Sequence, residues 1–324
     1  MNKIMDRKIP VIAVVGATAS GKTAMAVELA KRFNGEVISA DSMQIYKGMD
    51  IASAKVTKEE MQGVPHHLTD FLDPCEKYSV ARFIEDATLA VKQIVDRGKN
   101  VIICGGTGLY IDSFLENIVF EDEPDNSDVR KTLRRRAEEE GIETLYNELN
   151  SIDPETARSL HINNEGRILR ALETYILTGE KPSVIRARSK SASSPYEAVY
   201  IEPAWSDREL LYDRINRRVS VMIEKGLIDE AKEYFSLNKE NTAAQAIGHK
   251  EMIPYLLGEI SLEEAADNLR KATRHYAKRQ MTWFRKNEKI NRIYCDKYES
   301  FSSAVDAAEE IIKKSGLFKA GESM

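Results

Sequence analysis

The sequence contains little cysteine, which argues against two common kinds of structural support. Its three cysteines, Cys75, Cys104 and Cys295, are odd in number, lie far apart and form no CxxC pair. This pattern argues against a disulfide framework and against a zinc site, and it is typical of reduced thiols in the cytoplasm. We therefore expect a cytoplasmic protein.

Long apolar runs and a strong excess of one charge are also missing. No stretch has the character of a signal peptide or a membrane span, so we expect no membrane contact. The net charge of −5 excludes polyanion binding through bulk charge, and any nucleic-acid surface must be a local basic face. The 324 residues, 42% of them apolar, suffice for one large domain or for a core with a second domain.

Short apolar runs rich in β-branched residues have the pattern of buried strands. They are Val11–Val15, Val37–Ser39, Val101–Cys104 and Ala198–Ile201, and Ile290–Cys295 is a weaker candidate. Helical patterns lie between and after these runs. Strands that alternate with helices predict an α/β fold, in which helices flank a parallel sheet on both faces.

The stretch 121–195 contains no strand-like run. Charged helical segments lie between an acidic start, EDEPDNSD, and a serine-rich end, SKSASSP. We interpret it as an all-helical domain inserted into a core formed by 1–120 and 196–324. Residues 207–286, in the second part of the core, are again mostly helical.

A glycine-rich motif, GATASGKT, follows the first strand and precedes a helix. It matches the P-loop, in which backbone amides and a helix dipole hold phosphate oxygens. Lys22 adds a positive charge, and the Thr23 hydroxyl can hold Mg²⁺. The residues expected to bind phosphate are Gly16, Ala17, Thr18, Ala19, Ser20, Gly21, Lys22 and Thr23. The motif alone leaves open whether a phosphoryl group moves or a diphosphate departs.

Asp41 follows the second predicted strand. It would face the same crevice as the P-loop, because ligands of open α/β sheets bind beyond the carboxyl ends of the strands. The third strand instead ends in VIICGGTGLY, with glycines where a nucleoside-triphosphate hydrolase usually has a magnesium-binding Asp. Asp41 could be a turn or cap residue, a magnesium ligand or a general base. We favour the general base.

A series of motifs resembles bacterial tRNA dimethylallyltransferases. In order they are GATASGKT, DSMQIYKGMDIASAK, VPHHLTD, GGTGLY, NRRVSVMIEKGLIDEA, QAIGHKE and YAKRQMTWFRK, from about residue 10 to 290. That family transfers a dimethylallyl group from dimethylallyl diphosphate to the exocyclic amine of the adenine 3′ of the tRNA anticodon, and diphosphate leaves. The resemblance implies this reaction, with the anticodon stem-loop of tRNA as partner and Mg²⁺ as cofactor. We expect a monomer.

By this resemblance, the catalytic residues are Thr23, Asp41, Thr107 and Arg218. Asp41 would take the proton of the adenine amine, which is a poor nucleophile because its lone pair is delocalised into the ring. Thr107 and Arg218 would lie near the departing diphosphate. A turn residue is the alternative for Thr107, and Arg214 and Arg217 are close rivals of Arg218.

A basic segment at 270–289 predicts contact with RNA phosphates. It holds eight Lys or Arg against one Glu, and Arg270, Arg274 and Lys278 recur on one helical face. The alternative is a solvated helix whose aromatics pack into the core. The residues expected to contact tRNA are Asp41, Ser42, Met43, Gln44, Arg130, Asn163, Asn164, Glu165, Gly166, Arg167, Gln245, Gly248, His249, Arg270, Arg274, Lys278 and Arg279.

Two departures from the family pattern fall on this tRNA surface. The chain has NNEGR at 163–167 where NDPQR is usual, so Gly166 removes a side chain. In QAIGHKE, His249 stands where Tyr is common. The adjacent His66 and His67 have no further ligand at metal-binding spacing, and we expect them to be structural or to shape the diphosphate site.

Three rival functions share parts of this pattern. A nucleoside or metabolite kinase has a P-loop and a helical lid, and an adenylate isopentenyltransferase uses the same donor with a free mononucleotide. The basic segment at 270–289 disfavours both rivals, since neither needs so large a positive surface. A non-catalytic RNA-binding module is the third, and the intact P-loop with Asp41 disfavours it.

Overall fold

The computed structural model describes residues 8–120, 127–189, 193–235 and 243–318. It divides into two compact units. Unit 1 comprises Met1–Leu115 and Ser194–Met324, and unit 2 comprises Glu116–Ser193. Unit 2 begins and ends within a few residues of the insertion proposed from the sequence. Among the described residues, no helix is both long enough and apolar enough to cross a membrane.

Six strands lie within the described residues: β1 (Ile9–Val15), β2 (Gly35–Ser39), β3 (His66–His67), β4 (Asn100–Gly105), β5 (Tyr196–Ala204) and β6 (Ile290–Tyr294). The helices there are α1 (Lys22–Arg32), α2 (Lys58–Met61), α3 (Val80–Asp96), α4 (Gly108–Leu115), α5 (Ser127–Glu140), α6 (Ile142–Ile152), α7 (Pro154–Arg158), α8 (Glu165–Thr178), α9 (Pro182–Ser189), α10 (Arg208–Glu224), α11 (Leu227–Tyr234), α12 (His249–Leu256), α13 (Leu262–Phe284) and α14 (Phe301–Lys314). Short 3₁₀ turns cover Ala243–Gln245 and Cys295–Lys297.

The strands of unit 1 form one parallel sheet in the order β3-β2-β4-β1-β5-β6. The predicted α/β fold is therefore confirmed. β1 lies in the middle of the sheet, where Val11 is paired with Val101 of β4 on one side and Ala198 of β5 on the other. The loop that leaves the carboxyl end of β1 is consequently held by a strand with two neighbours.

Both faces of the sheet are covered. Val11, Ala13 and Val15 pack into a core shared with α3 and α4, and Ile12 and Val14 face a second core shared with α1 and α14. All five side chains are fully buried, and burying a large aliphatic side chain contributes about 1.5–3 kcal/mol. This burial explains why β1 reads as a continuous apolar run rather than as an alternating one.

Helix α13 carries the basic segment and has a well-defined start. The Ser261 hydroxyl accepts the N–H of Glu264 at 3.2 Å, and the Glu264 carboxylate accepts the N–H of Ser261 at 2.8 Å. This reciprocal capping box satisfies two amides at the helix N-terminus. At the other end, Phe284 is buried in the core beneath α4 and anchors the helix.

The described residues of unit 2 are helical and contain no strand. Its core is a separate apolar cluster from α5, α6, α7 and α8. Asp153 organises one end, since its carboxylate accepts from Thr156 N at 3.1 Å and from Ser183 N at 2.8 Å. Burial opposes ionisation, but the hydrogen bonds of Ser183 and Thr156 prevail and lower the pKa of Asp153 to about 2.

Candidate active site

The loop between β1 and α1 is a phosphate cradle. Gly16 and Gly21 have φ angles of 137° and 104°, and Ala19 has 61°. Positive φ angles of this size favour glycine, which explains the two glycines of the motif. The resulting path wraps the backbone around the N-terminus of α1, where amide groups and the helix dipole favour an anion.

Lys22 is the positive charge of the cradle. Its Nζ donates a hydrogen bond to the Ala17 carbonyl at 3.3 Å. Desolvation lowers the pKa of Lys22, and the nearby charge of Asp41 counteracts this. Lys22 is half-buried, and an anionic ligand bound beside it would replace the water that its charge has lost.

Asp41 lies between two cavities. The smaller, of about 20 Å³, is lined by Lys22 and Thr23 of the cradle, and the larger, of about 230 Å³, is lined by Arg218. Asp41 lines both. One carboxylate oxygen accepts the N–H of Met43 at 2.9 Å, which fixes the side chain in a local turn. The carboxylate thus has the turn role considered above and also faces the space beside the cradle.

Arg218 is the arginine of its helix that lies beside Asp41. Desolvation lowers the pKa of Arg218, and the Asp41 carboxylate opposes this shift. Arg214 instead donates from Nε to the Ala19 carbonyl at 2.9 Å and so supports the outside of the cradle. Arg217 is exposed. The three arginines named from the sequence therefore have separate positions in the structure.

Thr107 ends the turn that follows β4. Its N–H donates to the Ala40 carbonyl at 3.2 Å, and its hydroxyl accepts the N–H of Ser42 at 3.1 Å. Gly105 permits this close approach, because a Cβ there would collide with the Ala40 carbonyl. Thr107 consequently ties the turn to the segment that carries Asp41.

The side chain of Gln44 is hydrogen-bonded to neighbouring groups of the protein. Its Oε1 accepts from the Ser39 hydroxyl at 3.2 Å, and its Nε2 donates to the carbonyls of residues 53 and 54 at 3.4 and 3.2 Å. Ser42 and Met43 line the larger cavity. The Gln44 amide thus holds the neighbouring loop in this structure, and its contact with a purine stays a prediction.

Glu230 and His249 form a buried pair that sequence reasoning did not connect. The Glu230 carboxylate accepts the backbone N–H groups of residues 50–52 at 2.9, 2.6 and 2.9 Å, and His249 Nε2 at 2.7 Å. Burial raises the pKa of Glu230, but these hydrogen bonds outweigh it and lower the pKa. His249 is only 3% exposed and stacks on Tyr234. Its observed role is to hold Glu230 behind a loop whose Ala52 lines the larger cavity.

Two further predicted tRNA residues lie beside this pair. Gln245 lines the larger cavity. Gly248 has a φ angle of 119°, and a Cβ on it would lie 2.8 Å from the Cβ of Ala52. Gly248 is therefore a close-packing position beneath the loop that lines the cavity.

The basic residues of α13 differ in their surroundings. Lys278 and Arg279 are exposed, and the Arg279 guanidinium lies 5.5 Å from the centroid of the Tyr276 ring. Arg279 and Tyr276 also line the larger cavity, so the basic face continues into it. Arg274 is half-buried. Arg270 donates hydrogen bonds to two acidic side chains of its own helix, at 2.9 and 2.7 Å.

Unit 2 carries the remaining predicted tRNA residues. The Arg130 guanidinium donates twice to Glu173, at 3.0 and 2.9 Å, and Glu173 is 1% exposed. The block at the start of α8 consists of Asn163, Asn164, Glu165, Gly166 and Arg167. All of it is exposed except Asn164, which is half-buried and makes no side-chain cap.

The fold and this site define a class of protein. It is an α/β protein with a P-loop, in which one carboxylate lies between the phosphate cradle and a larger cavity bordered by a basic helix. A family model described as IPP transferase matches residues 44–287. The chain belongs to the IPP transferase family, and the resemblance found in the motifs is confirmed.

Relatives and solved structures agree with this assignment. A tRNA dimethylallyltransferase of Caldanaerobacter subterraneus subsp. tengcongensis is 47% identical over 296 residues, covering 90% of this chain and 94% of the relative. One of Acetivibrio thermocellus is 44% identical and covers 95% and 99%. The structure of the full-length tRNA isopentenylpyrophosphate transferase of Bacillus halodurans is 43% identical, with a TM-score of 0.69 and 96% and 99% coverage. A eukaryotic dimethylallyltransferase acting on tRNA is 29% identical, with a TM-score of 0.75 over 97% of this chain and 81% of the other.

Proposed function

We propose that this protein is a tRNA dimethylallyltransferase. It transfers a dimethylallyl group from dimethylallyl diphosphate to the exocyclic amine of the adenine 3′ of the tRNA anticodon, and it releases diphosphate. The observation that carries the proposal is the position of Asp41, which lines both the cavity at the cradle and the larger cavity. The relatives named as tRNA dimethylallyltransferases support the donor and the acceptor.

On the donor side, the cradle holds the diphosphate. Negative charge grows on the diphosphate as its bond to the allylic carbon breaks. The loop amides, Lys22 and Arg218 lie where they would stabilise that charge, and desolvation strengthens their effect. We assign the Thr107 hydroxyl to the same side, since it joins the turn next to the cradle to the Asp41 segment.

On the acceptor side, the adenine leaves the anticodon loop and enters the larger cavity, as base-modifying enzymes require. The amine nitrogen forms a bond to the allylic carbon while the bond from that carbon to the diphosphate oxygen breaks. The amine proton passes to Asp41, and the diphosphate takes the electron pair of the broken bond. The turn bond from Met43 to Asp41 holds the carboxylate at the boundary of the two cavities.

Magnesium fits the oxygen donors of the cradle. Within the described residues, no cluster of three His, Cys, Asp or Glu could hold a metal. Mg²⁺ does not need one, because it commonly binds through one or two protein oxygens together with phosphates and waters. The Thr23 hydroxyl would hold it here, and bound Mg²⁺ would neutralise charge on the leaving diphosphate.

For tRNA binding we propose two surfaces. One is the basic face of α13, where Lys278 and Arg279 are exposed and Arg274 is half-buried, and the other is the start of α8 in unit 2. Cations arranged in this way release counterions from the RNA backbone when they bind. We further propose a monomer that acts in the cytoplasm.

The test is mass spectrometry of the nucleosides of tRNA that has been incubated with the protein and dimethylallyl diphosphate. We expect one adenosine to gain a dimethylallyl group. ADP formation from ATP would instead favour the kinase. If AMP competed as well as an anticodon stem-loop for the labelled donor, the acceptor assignment would be wrong.

Asp41→Asn tests the proton acceptor. We expect turnover to fall by about two orders of magnitude, with the Kd for tRNA nearly unchanged. Asp73→Asn is the matched control, because Asp73 also accepts the N–H two residues ahead, at 2.8 Å, but is exposed. Near-normal turnover of Asp41→Asn would refute the general-base role.

A further inference from the structure

Gln280 connects α13 to the phosphate cradle. Its side chain is 5% exposed. The Oε1 atom accepts the backbone N–H of Thr18 in the cradle at 2.8 Å, and the Nε2 atom donates to the carbonyl of Gly106 at 2.9 Å. Reversing the amide would place donor against donor and acceptor against acceptor, so its orientation is fixed by its two partners.

The turn after β4 is shaped to receive this helix. A Cβ on Gly106 would collide with Nε2 of Gln280, and a Cβ on Gly108 would collide with the indole of Trp283. Trp283 lies three residues further along α13, and its Nε1 donates to Asp112 at 2.6 Å. Gln280 and Trp283, on one face of α13, therefore hold the turn after β4 at a fixed distance from this helix.

The two partners of Gln280 belong to two separate segments, the cradle and the turn after β4, whose Gly105 lines the smaller cavity. Thr18 lies in the cradle, and Gly106 precedes Thr107, whose hydroxyl accepts from the segment of Asp41. The bond to Gln280 also removes the Thr18 N–H from the amides that are available to an anion. A shift of this single amide would change the spacing of the cradle and of the turn together.

We propose that Gln280 is a positioning residue of the diphosphate site. It fixes the distance between the cradle and the turn that carries Thr107, and so sets the affinity for diphosphate. This inference rests on the proposed function for its substrate. It concerns a side chain that points away from the RNA face of α13, so changing it should affect the diphosphate rather than the tRNA.

The test compares the binding of inorganic diphosphate with Mg²⁺, measured by calorimetry, in the wild type, Gln280→Glu and Gln280→Met. At pH 7.5 we expect both variants to bind diphosphate about tenfold more weakly, since each loses at least one buried hydrogen bond. The Kd for tRNA should stay within about twofold. In a turnover assay, the KM for dimethylallyl diphosphate should rise while the KM for tRNA does not.

Binding measured over a range of pH distinguishes a positioning role of Gln280 from a general loss of protein stability. When the carboxyl group of Gln280→Glu is protonated, one oxygen accepts from Thr18 and the other donates to Gly106, as the amide does. Its affinity relative to the wild type should therefore recover as the pH falls, and that of Gln280→Met should not. Asn100→Asp is the matched control: Asn100 is a buried carboxamide that donates to the Phe33 carbonyl at 2.6 Å, and this change should lower stability without changing diphosphate affinity.

Wild-type affinity for diphosphate in both Gln280 variants would overturn the proposal. An equal loss of diphosphate affinity in Asn100→Asp would also overturn it, and so would a diphosphate affinity of Gln280→Glu that does not recover at low pH. The proposed function fails separately, if the wild type forms no modified adenosine. The diphosphate titration still decides the role of Gln280 in that case.

Discussion

The buried carboxylate of Glu230 permits a quantitative prediction, because its four hydrogen bonds are divided evenly between two oxygens. Oε2 accepts the N–H groups of Asp50 and Ile51, and Oε1 accepts those of Ala52 and His249. Glu230→Gln keeps one acceptor oxygen for the N–H groups of Asp50 and Ile51 and turns its NH₂ group toward the Ala52 N–H and His249 Nε2, and this ring nitrogen can accept when the other one carries the proton. The bond from Ala52 to a charged acceptor is lost, so we expect a destabilisation of at least about 1.5–3 kcal/mol.

Urea unfolding at pH 7 measures this loss. The control is Glu233→Gln, since Glu233 lies exposed on the same helix and its substitution should change the free energy of unfolding by less than about 0.5 kcal/mol. The loop at residues 50–52 should also loosen, and the KM for tRNA should rise because Ala52 lines the larger cavity. A Glu230→Gln variant within about 1 kcal/mol of the wild type would refute the reasoning.

The same pair predicts a pH dependence with a definite sign. Folding lowers the pKa of Glu230, through His249 and the loop amides against the effect of burial. Its stabilisation is therefore complete above the pKa of an unfolded glutamate, about 4.3, and is lost as the pH falls through the lower folded-state pKa. The stability difference between the wild type and Glu230→Gln should shrink in that acid range. A difference that grew on acidification would contradict the assignment.

Two other changes test the RNA face and the packing under the cavity loop. Replacing Arg274 and Lys278 by Gln should weaken tRNA binding about tenfold or more at low salt. The same change should reduce the slope of log K against log [salt] by about 1.4–1.8. An unchanged slope would show that neither cation contacts phosphate. Gly248→Ala should cost about 1–3 kcal/mol in urea unfolding, since φ is 119° and the new Cβ would press on Ala52. An unchanged free energy of unfolding in Gly248→Ala would show that the loop with Ala52 can move to accommodate the new Cβ.

Much of the sheet could be predicted from the sequence because its strands are buried on both faces. Val11–Val15, for instance, falls inside the observed Ile9–Val15. The strand His66–His67 was not predicted, since two polar residues give no periodic signal and pair with β2 only through tertiary context. His67 Nε2 lies 2.7 Å from the buried Glu36, which fits the structural alternative. His66 lines the smaller cavity, which fits the alternative that the pair shapes the diphosphate site.

The site was predictable where one short motif makes it and less so where distant segments meet. The P-loop needs only its own eight residues and the helix after it. The roles of Gln280 and Glu230 depend on partners 262 and about 180 residues away in sequence. The one available signal was the family motif around each residue, which indicates membership but not which backbone group the side chain bonds.

The central position of β1 has a consequence for synthesis on the ribosome. β1 pairs with β4 and with β5, but β5 ends at Ala204, roughly 100 residues after the end of β4. At about 5–20 residues per second, a nascent chain waits about 5–20 s with one side of β1 unpaired, while the whole of unit 2 is made. The strand that bears the cradle is thus a temporary sheet edge, and slow translation of the insertion would prolong its exposure to unwanted strand pairing.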